Sequence, residues 1–123
     1  MAITFQLVVF DAVDLAVESA FLAGVLGGTV DASDDDWHEI SVDGRPCVAV
    51  QLAPGHVAPD WPDGTPEQQV HVDLWTDDIA AAHAHVTGLG ARLLERPEDH
   101  PGAPDNFQVY ADPEGHPFCL CWA

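Results

Sequence analysis

Residues 69–94, QVHVDLWTDDIAAAHAHVTGLGARLL, change hydrophobic period once, and that change sets the architecture. From His71 to Asp77 the alternation and the aromatic and β-branched content read as a strand. Asp78 follows as an N-cap, because its carboxylate can accept a first-turn amide that has no helical partner. Ile79, Val86 and Leu89 then recur at helical spacing, and Gly90 stops the helix. The strand's period of two sends Val72, Leu74 and Thr76 toward the helix and His71, Asp73 and Trp75 to the opposite face.

The same grammar occurs 64 positions earlier, where Val8 superposes on Val72, Asp14 on Asp78, Ala16 on Ala80, Ala20 on Ala84 and Gly24 on Gly88. There LVVFDAV (Leu7 to Val13) is the strand, Asp14 the cap, Leu15, Leu22 and Val25 or Leu26 the stripe, and Gly27-Gly28 the stop. Val8, Phe10 and Ala12 face the helix, while Leu7, Val9 and Asp11 face away. An internal repeat follows. Candidate strands at Thr29 to Ala32, Trp37 to Val42 and Cys47 to Leu52 complete the first module, with Asp43-Gly44 as a hairpin signal. Ala91 to Arg96, Phe107 to Ala111 and Phe118 to Trp122 complete the second, with Asp112-Pro113-Glu114-Gly115 as a type I turn.

The expectation is an α+β chain of two βαβββ modules forming curled mixed sheets around a cup. It forms one domain over residues 1–123, with module one at 1–53, a proline-rich linker at 54–68 and module two at 69–123. A second irregular stretch, from Pro97 to Asn106, is expected either as a loop that lines a site or as a disordered surface excursion.

Composition excludes several classes. Three arginines and no lysine stand against 21 acidic residues, a formal net charge of −18 that repels phosphate backbones and rules out nucleic acid as a partner. Acidity favours a cationic ligand, although a solvated acidic surface maintains solubility without any such role. No apolar run has the length of a membrane span, and the stretch from Ile3 to Val13 lacks a basic leader, so a cytoplasmic protein without membrane contact is expected. Cys47, Cys119 and Cys121 lack zinc-ribbon spacing and are expected as reduced thiols, the latter two as small buried hydrophobes on one strand face. No GxGxxG, Walker-type loop, GxSxG or HExxH occurs, so nucleotide-dependent and ordinary serine-hydrolase chemistry have no support.

Residues 69–94, followed by YADPEGHPFCL (residues 110–120), resemble the second half of the glyoxalase-like branch of the vicinal oxygen chelate superfamily. LVVFDAVDLAVESAFLAGVLGG (residues 7–28) resembles its opening strand and helix. The resemblance implies the fold shared by glyoxalases, bleomycin resistance proteins and extradiol dioxygenases, a ligand cup, and homodimerisation. In metal-dependent members the ligands are His or Gln, Glu, His and Glu on the first, fourth, fifth and eighth strands. By motif position these fall on Leu7, Gln51, His71 and Cys119, of which His71 alone keeps its type. The resemblance therefore points to no family metal centre, with Gln51, His71 and Cys119 as the donors of any divalent metal.

The cup-facing set is Asp11, Gln51, His71, Asp73, Trp75 and Cys119, as the binding site for an amphipathic or aromatic small molecule. A carboxylate on an apolar strand face is costly to bury alone, so Asp11 and Asp73 signal a polar cup, although Asp11 can instead serve the turn beside it. His71 and Asp73 sit at i,i+2 with Cβ atoms about 7 Å apart, close enough for a general base and its orienting carboxylate. Trp75 supplies a flat wall for a ring or a cation. The alternatives are a metal-dependent lyase, isomerase or dioxygenase, and a metal-free enzyme with His71 as base. His83 and His85 are expected at the surface, His38, His56, His100 and His116 receive no role, and Trp122 is expected in the core.

Overall fold

Each helix of the chain begins where an aspartate can reach back to its first turn. In the computed structural model, which describes residues 1–99, 102 and 105–123, Asp14 Oδ1 accepts the Val17 amide at 3.1 Å and Asp78 Oδ1 accepts the Ala81 amide at 3.0 Å. His100, and residues 101, 103 and 104 of the expected loop, lie outside the described residues. Because each cap satisfies one otherwise unpartnered amide, Asp14→Ala and Asp78→Ala are each expected to lower unfolding free energy by about 1 kcal/mol, read as a shift of the urea midpoint.

The chain divides into two compact units, Met1–His56 and Val57–Ala123, so most of the expected linker belongs to the second unit. In the first, strand β1 (Val8–Ala12) leads into helix α1 (Leu15–Leu26), followed by β2 (Thr29–Asp31), β3 (Trp37–Val42) and β4 (Arg45–Leu52). The sheet order is β1-β4-β3-β2, with β1 parallel to β4 and the remaining pairs antiparallel. The alternation holds, with Phe10 and Ala12 buried and Val9 and Asp11 exposed. Asp43 (φ 51°) and Gly44 (φ 76°) both take the left-handed backbone that the hairpin between β3 and β4 requires. Gly27 ends α1 in the same conformation, at φ 68°.

The buried face of α1 is Leu15, Glu18, Ser19, Phe21 and Leu22 rather than Leu15, Leu22 and Val25 or Leu26; the latter two are half-buried. The apolar count missed Glu18 and Ser19 because they are polar, yet positions 15, 18, 19 and 22 form one helical face, which packs on β3 and β4. Ser19 Oγ lies 2.8 Å from His38 Nδ1, so His38, to which the sequence assigned no role, joins the helix to the sheet.

The second unit repeats the plan with β5 (Val72–Trp75), α2 (Ile79–Gly88), β6 (Arg92–Glu95), a 3-10 turn (Pro97–Asp99), β7 (Phe107–Ala111) and β8 (Pro117–Cys121). Its order is β5-β8-β7-β6, with β5 parallel to β8. The turn before β8 closes as expected, with the Gly115 amide donating to the Asp112 carbonyl at 2.9 Å and Asp112 Oδ1 accepting the amides of Glu114 and His116. Helix α2 ends earlier than expected, on Gly88 with Leu89 as its cap, and Leu89 is exposed.

Two further expectations need correction. Trp122 is half-buried rather than core, because β8 ends at Cys121 and leaves Trp122 past the sheet. His83 is half-buried, with Nδ1 2.8 Å from the Tyr110 hydroxyl, which also accepts Gln108 Nε2 at 2.7 Å. Tyr110 is 0% exposed and stacks on Phe118 at a centroid distance of 5.3 Å, so this polar chain runs through the apolar layer beneath α2.

Candidate functional site

Pairing within the second sheet sets three strands side by side and so converts alternation along each into a shared face. Asp73 on β5 is opposite Cys119 on β8, Trp75 is opposite Cys121, and on the other flank of β8 Val109 and Phe107 of β7 are opposite the same two cysteines. His71, Asp73, Phe107, Cys119 and Cys121 therefore point away from the face that carries Gln108, Tyr110, Phe118 and Leu120. With Asn106, whose Nδ2 donates to the Trp122 carbonyl at 2.9 Å, they line an open pocket of about 320 Å³. That is the lower end of the range for small-molecule sites.

His71 and Asp73 are brought together, with Nε2 3.2 Å from Oδ1. Their side chains are 42% and 62% exposed, so the contact orients the imidazole more than it stabilises the fold, at well under about 1 kcal/mol. With its proton on Nε2, directed at the carboxylate, the ring presents Nδ1 as its acceptor nitrogen. One donor atom from each of His71, Asp73 and Cys119 lies within 4.8 Å of the others.

Cys119 is buried, and that burial, reinforced by the carboxylate of Asp73 and the neighbouring Cys121, pushes its thiol up to about 12. Cys121 is raised as well, by burial and then by Asp73. Near neutral pH both are thiols, so neither is a ready nucleophile in the metal-free protein.

Of the expected site residues, His71, Asp73 and Cys119 meet in the pocket. Trp75 shares their face and is 69% exposed. Asp11 and Gln51 belong to the first unit, where they are register partners across β1 and β4 and both are exposed. Asn106, Phe107 and Cys121 were not among the expected site residues. Alternation from Cys119 would have marked Cys121 and the facing Phe107, whereas Asn106 precedes β7 and carries no periodic signal.

Two mixed four-stranded sheets, each with its own helix in βαβββ order, define the α+β class of the glyoxalase/bleomycin resistance/dioxygenase fold. The glyoxalase-like domain family matches residues 7–121, and the chain belongs to that family. Solved structures agree in fold. The fosfomycin resistance protein FosX of Listeria monocytogenes superposes with a TM-score of 0.71 at 12% identity, covering 100% of this chain and 95% of its own. A second structure of that protein, complexed with Mn(II) and sulfate, gives 0.71 at 14% identity, covering 100% and 92%. A glyoxalase/bleomycin resistance/dioxygenase family enzyme of Burkholderia phytofirmans PsJN gives 0.69 at 16% identity, covering 95% and 96%. No curated protein sequence matches the chain.

At the positions where the resemblance implies the donors of a hard divalent cation, the residue types of this chain depart from the family pattern. Leu7 is a hydrocarbon with no donor atom, and Cys119 offers a sulfur in place of a carboxylate, so His71 alone supplies a donor of the implied type.

Proposed function

We propose that the protein binds an amphipathic or aromatic small molecule, preferentially a cation, without the hard-metal centre of its metal-dependent relatives. The observation that carries this is the pocket on the open face of the second sheet, where the His71–Asp73 pair stands over an apolar floor of Phe107, Cys119 and Cys121 beside the exposed Trp75. A few convergent polar groups over an apolar surface are the usual composition of a ligand site. An exposed carboxylate next to an indole face favours a ring that bears positive charge. The net charge of −18 raises the local concentration of such a ligand.

Titration with a cationic aromatic dye such as proflavine tests this. Saturable quenching of tryptophan emission that is lost in Trp75→Phe is expected, the substitution being needed because the chain has four tryptophans. Asp73→Asn should raise Kd about tenfold, the size of one charge-assisted hydrogen bond. Absence of saturable quenching across a panel of such dyes would remove the reading.

The 3.2 Å His71–Asp73 contact favours one further reading, in which His71 is a general base held in its tautomer by the carboxylate. That reading requires turnover that survives chelation and disappears in His71→Ala.

A further inference from the structure

We infer that the pocket selects a planar cation with its own N–H donors, an amidinium or guanidinium attached to an aromatic ring, over a fully alkylated ammonium of the same charge. This rests on the ligand-binding reading above and names the chemistry that the site recognises.

The donors of the pocket are spent on its own acceptors. His71 Nε2 lies 3.2 Å from Asp73 Oδ1, so with the proton there the other ring nitrogen, Nδ1, is an acceptor. Cys119 keeps its proton, because burial first and then the charge of Asp73 raise the thiol to about 12, and the thiol hydrogen-bonds to the same carboxylate. At the opposite end of β8, Asn106 Nδ2 donates to the Trp122 carbonyl at 2.9 Å while the Asn106 carbonyl accepts the Trp122 amide at 3.1 Å. That pairing fixes the sense of the side-chain amide, since a flipped Asn106 would set Oδ1 against the Trp122 carbonyl. What remains is mostly lone pairs. A carboxylate has about four acceptor sites, of which His71 and Cys119 occupy one each on Asp73, and His71 Nδ1 and Asn106 Oδ1 add to the surplus.

The apolar floor sets the rest of the ligand. Trp75, Cys121 and Phe107 form one row across β5, β8 and β7, and Asp73 and Cys119 lie in the next. Successive rows on one face are about 7 Å apart, so a ring on Phe107 and Cys121 beside Trp75 directs a charged substituent toward Asp73. An amidinium or guanidinium then meets the carboxylate with two parallel N–H groups. A quaternary ammonium brings the same charge and no donor, and displaces water from the lone pairs without replacing its hydrogen bonds. Asp73 is 62% exposed, so solvent screens its charge and hydrogen-bond direction does more than charge to separate the two cations.

Calorimetric titration of the reduced full-length chain with benzamidine and with phenyltrimethylammonium, at pH 8 where an ordinary imidazole is neutral, tests this. Each probe carries one positive charge on one phenyl ring. Benzamidine is expected to bind about tenfold more tightly, the size of a charge-assisted hydrogen bond made by one probe and not the other. In Asp73→Asn, which sets an amide N–H where the carboxylate offered lone pairs, the ratio should fall to within about twofold. The wild-type comparison needs no substitution, so it stands whatever the variant does to the fold. Equal affinities, tighter binding of phenyltrimethylammonium, or an unchanged ratio in a folded Asp73→Asn would overturn the inference and leave the ligand-binding reading in place. Saturable proflavine quenching with neither probe bound would do the same. Absence of binding by both probes and by the cationic dyes removes the inference and the reading together.

Discussion

Tyr110→Ala is expected to lower the unfolding free energy by about 3–5 kcal/mol, a large part of the stability of a domain this size. The ring is fully buried on the helix side of β7, so truncation loses the transfer free energy of the ring and opens a cavity beside Phe118. It also removes the hydroxyl that accepts Gln108 Nε2 at 2.7 Å and meets His83 Nδ1 at 2.8 Å. Tyr110→Phe separates the two contributions. It keeps the stacked ring but leaves the buried Gln108 amide without that acceptor, for an expected cost of about 1–3 kcal/mol. Urea titration of the two variants reads both values. Equal midpoints for wild type and Tyr110→Phe would mean that the polar chain contributes nothing and that packing alone holds α2 to the sheet.

The second large effect is kinetic. In the metal-free protein, Cys119 is expected to exchange with a small aromatic disulfide about 50-fold more slowly at pH 8 than a cysteine in a short peptide. Raising the thiol from 9.0 to about 12 reduces the thiolate fraction at pH 8 by about a thousandfold. The more basic thiolate is intrinsically more nucleophilic, which returns roughly 20-fold. Burial of Cys119 slows access further. The rate should keep rising with pH beyond 10, where a peptide thiol has levelled off. Measurement in a Cys47→Ser, Cys121→Ser background isolates the residue, and a rate equal to the peptide's would contradict the burial of Cys119. The same shift sets a sign for stability. The folded state holds the Cys119 proton more tightly than the unfolded chain, so this contribution is complete below pH 9 and is lost as pH rises toward about 12.

These two residues also show where sequence reasoning stops. Asp14 and Asp78 were legible because capping is local, requiring only a carboxylate three residues before the amide it accepts. The orientation of Asp73 and Trp75 was legible because alternation along one strand needs no knowledge of its neighbours. Tyr110 and His83 were not, since a residue on one strand and another on a helix 27 positions earlier meet only after α2 has docked. Glu18 was overlooked for a related reason. A charged residue carries no hydrophobic signal, although its helical position, three after Leu15, puts it on the inward face and leaves it 0% exposed.

What the sequence determined by itself is therefore the set of local choices. These are the two changes from period two to helical period, the aspartate at each helix start, the turn at Asp112–Gly115, the near-identical module plan 64 positions apart, and which side chains leave each strand on the open face. The tertiary structure decided which of those side chains meet. Cys119 lies opposite Asp73, rather than one residue along and on the other face, because the register of β8 is set by the pairing of whole strands on both its flanks. That pairing depends on closing the chain between β5 and β8 and on burying Phe118 and Leu120 beneath the helix, neither of which is written in the residues of the site itself.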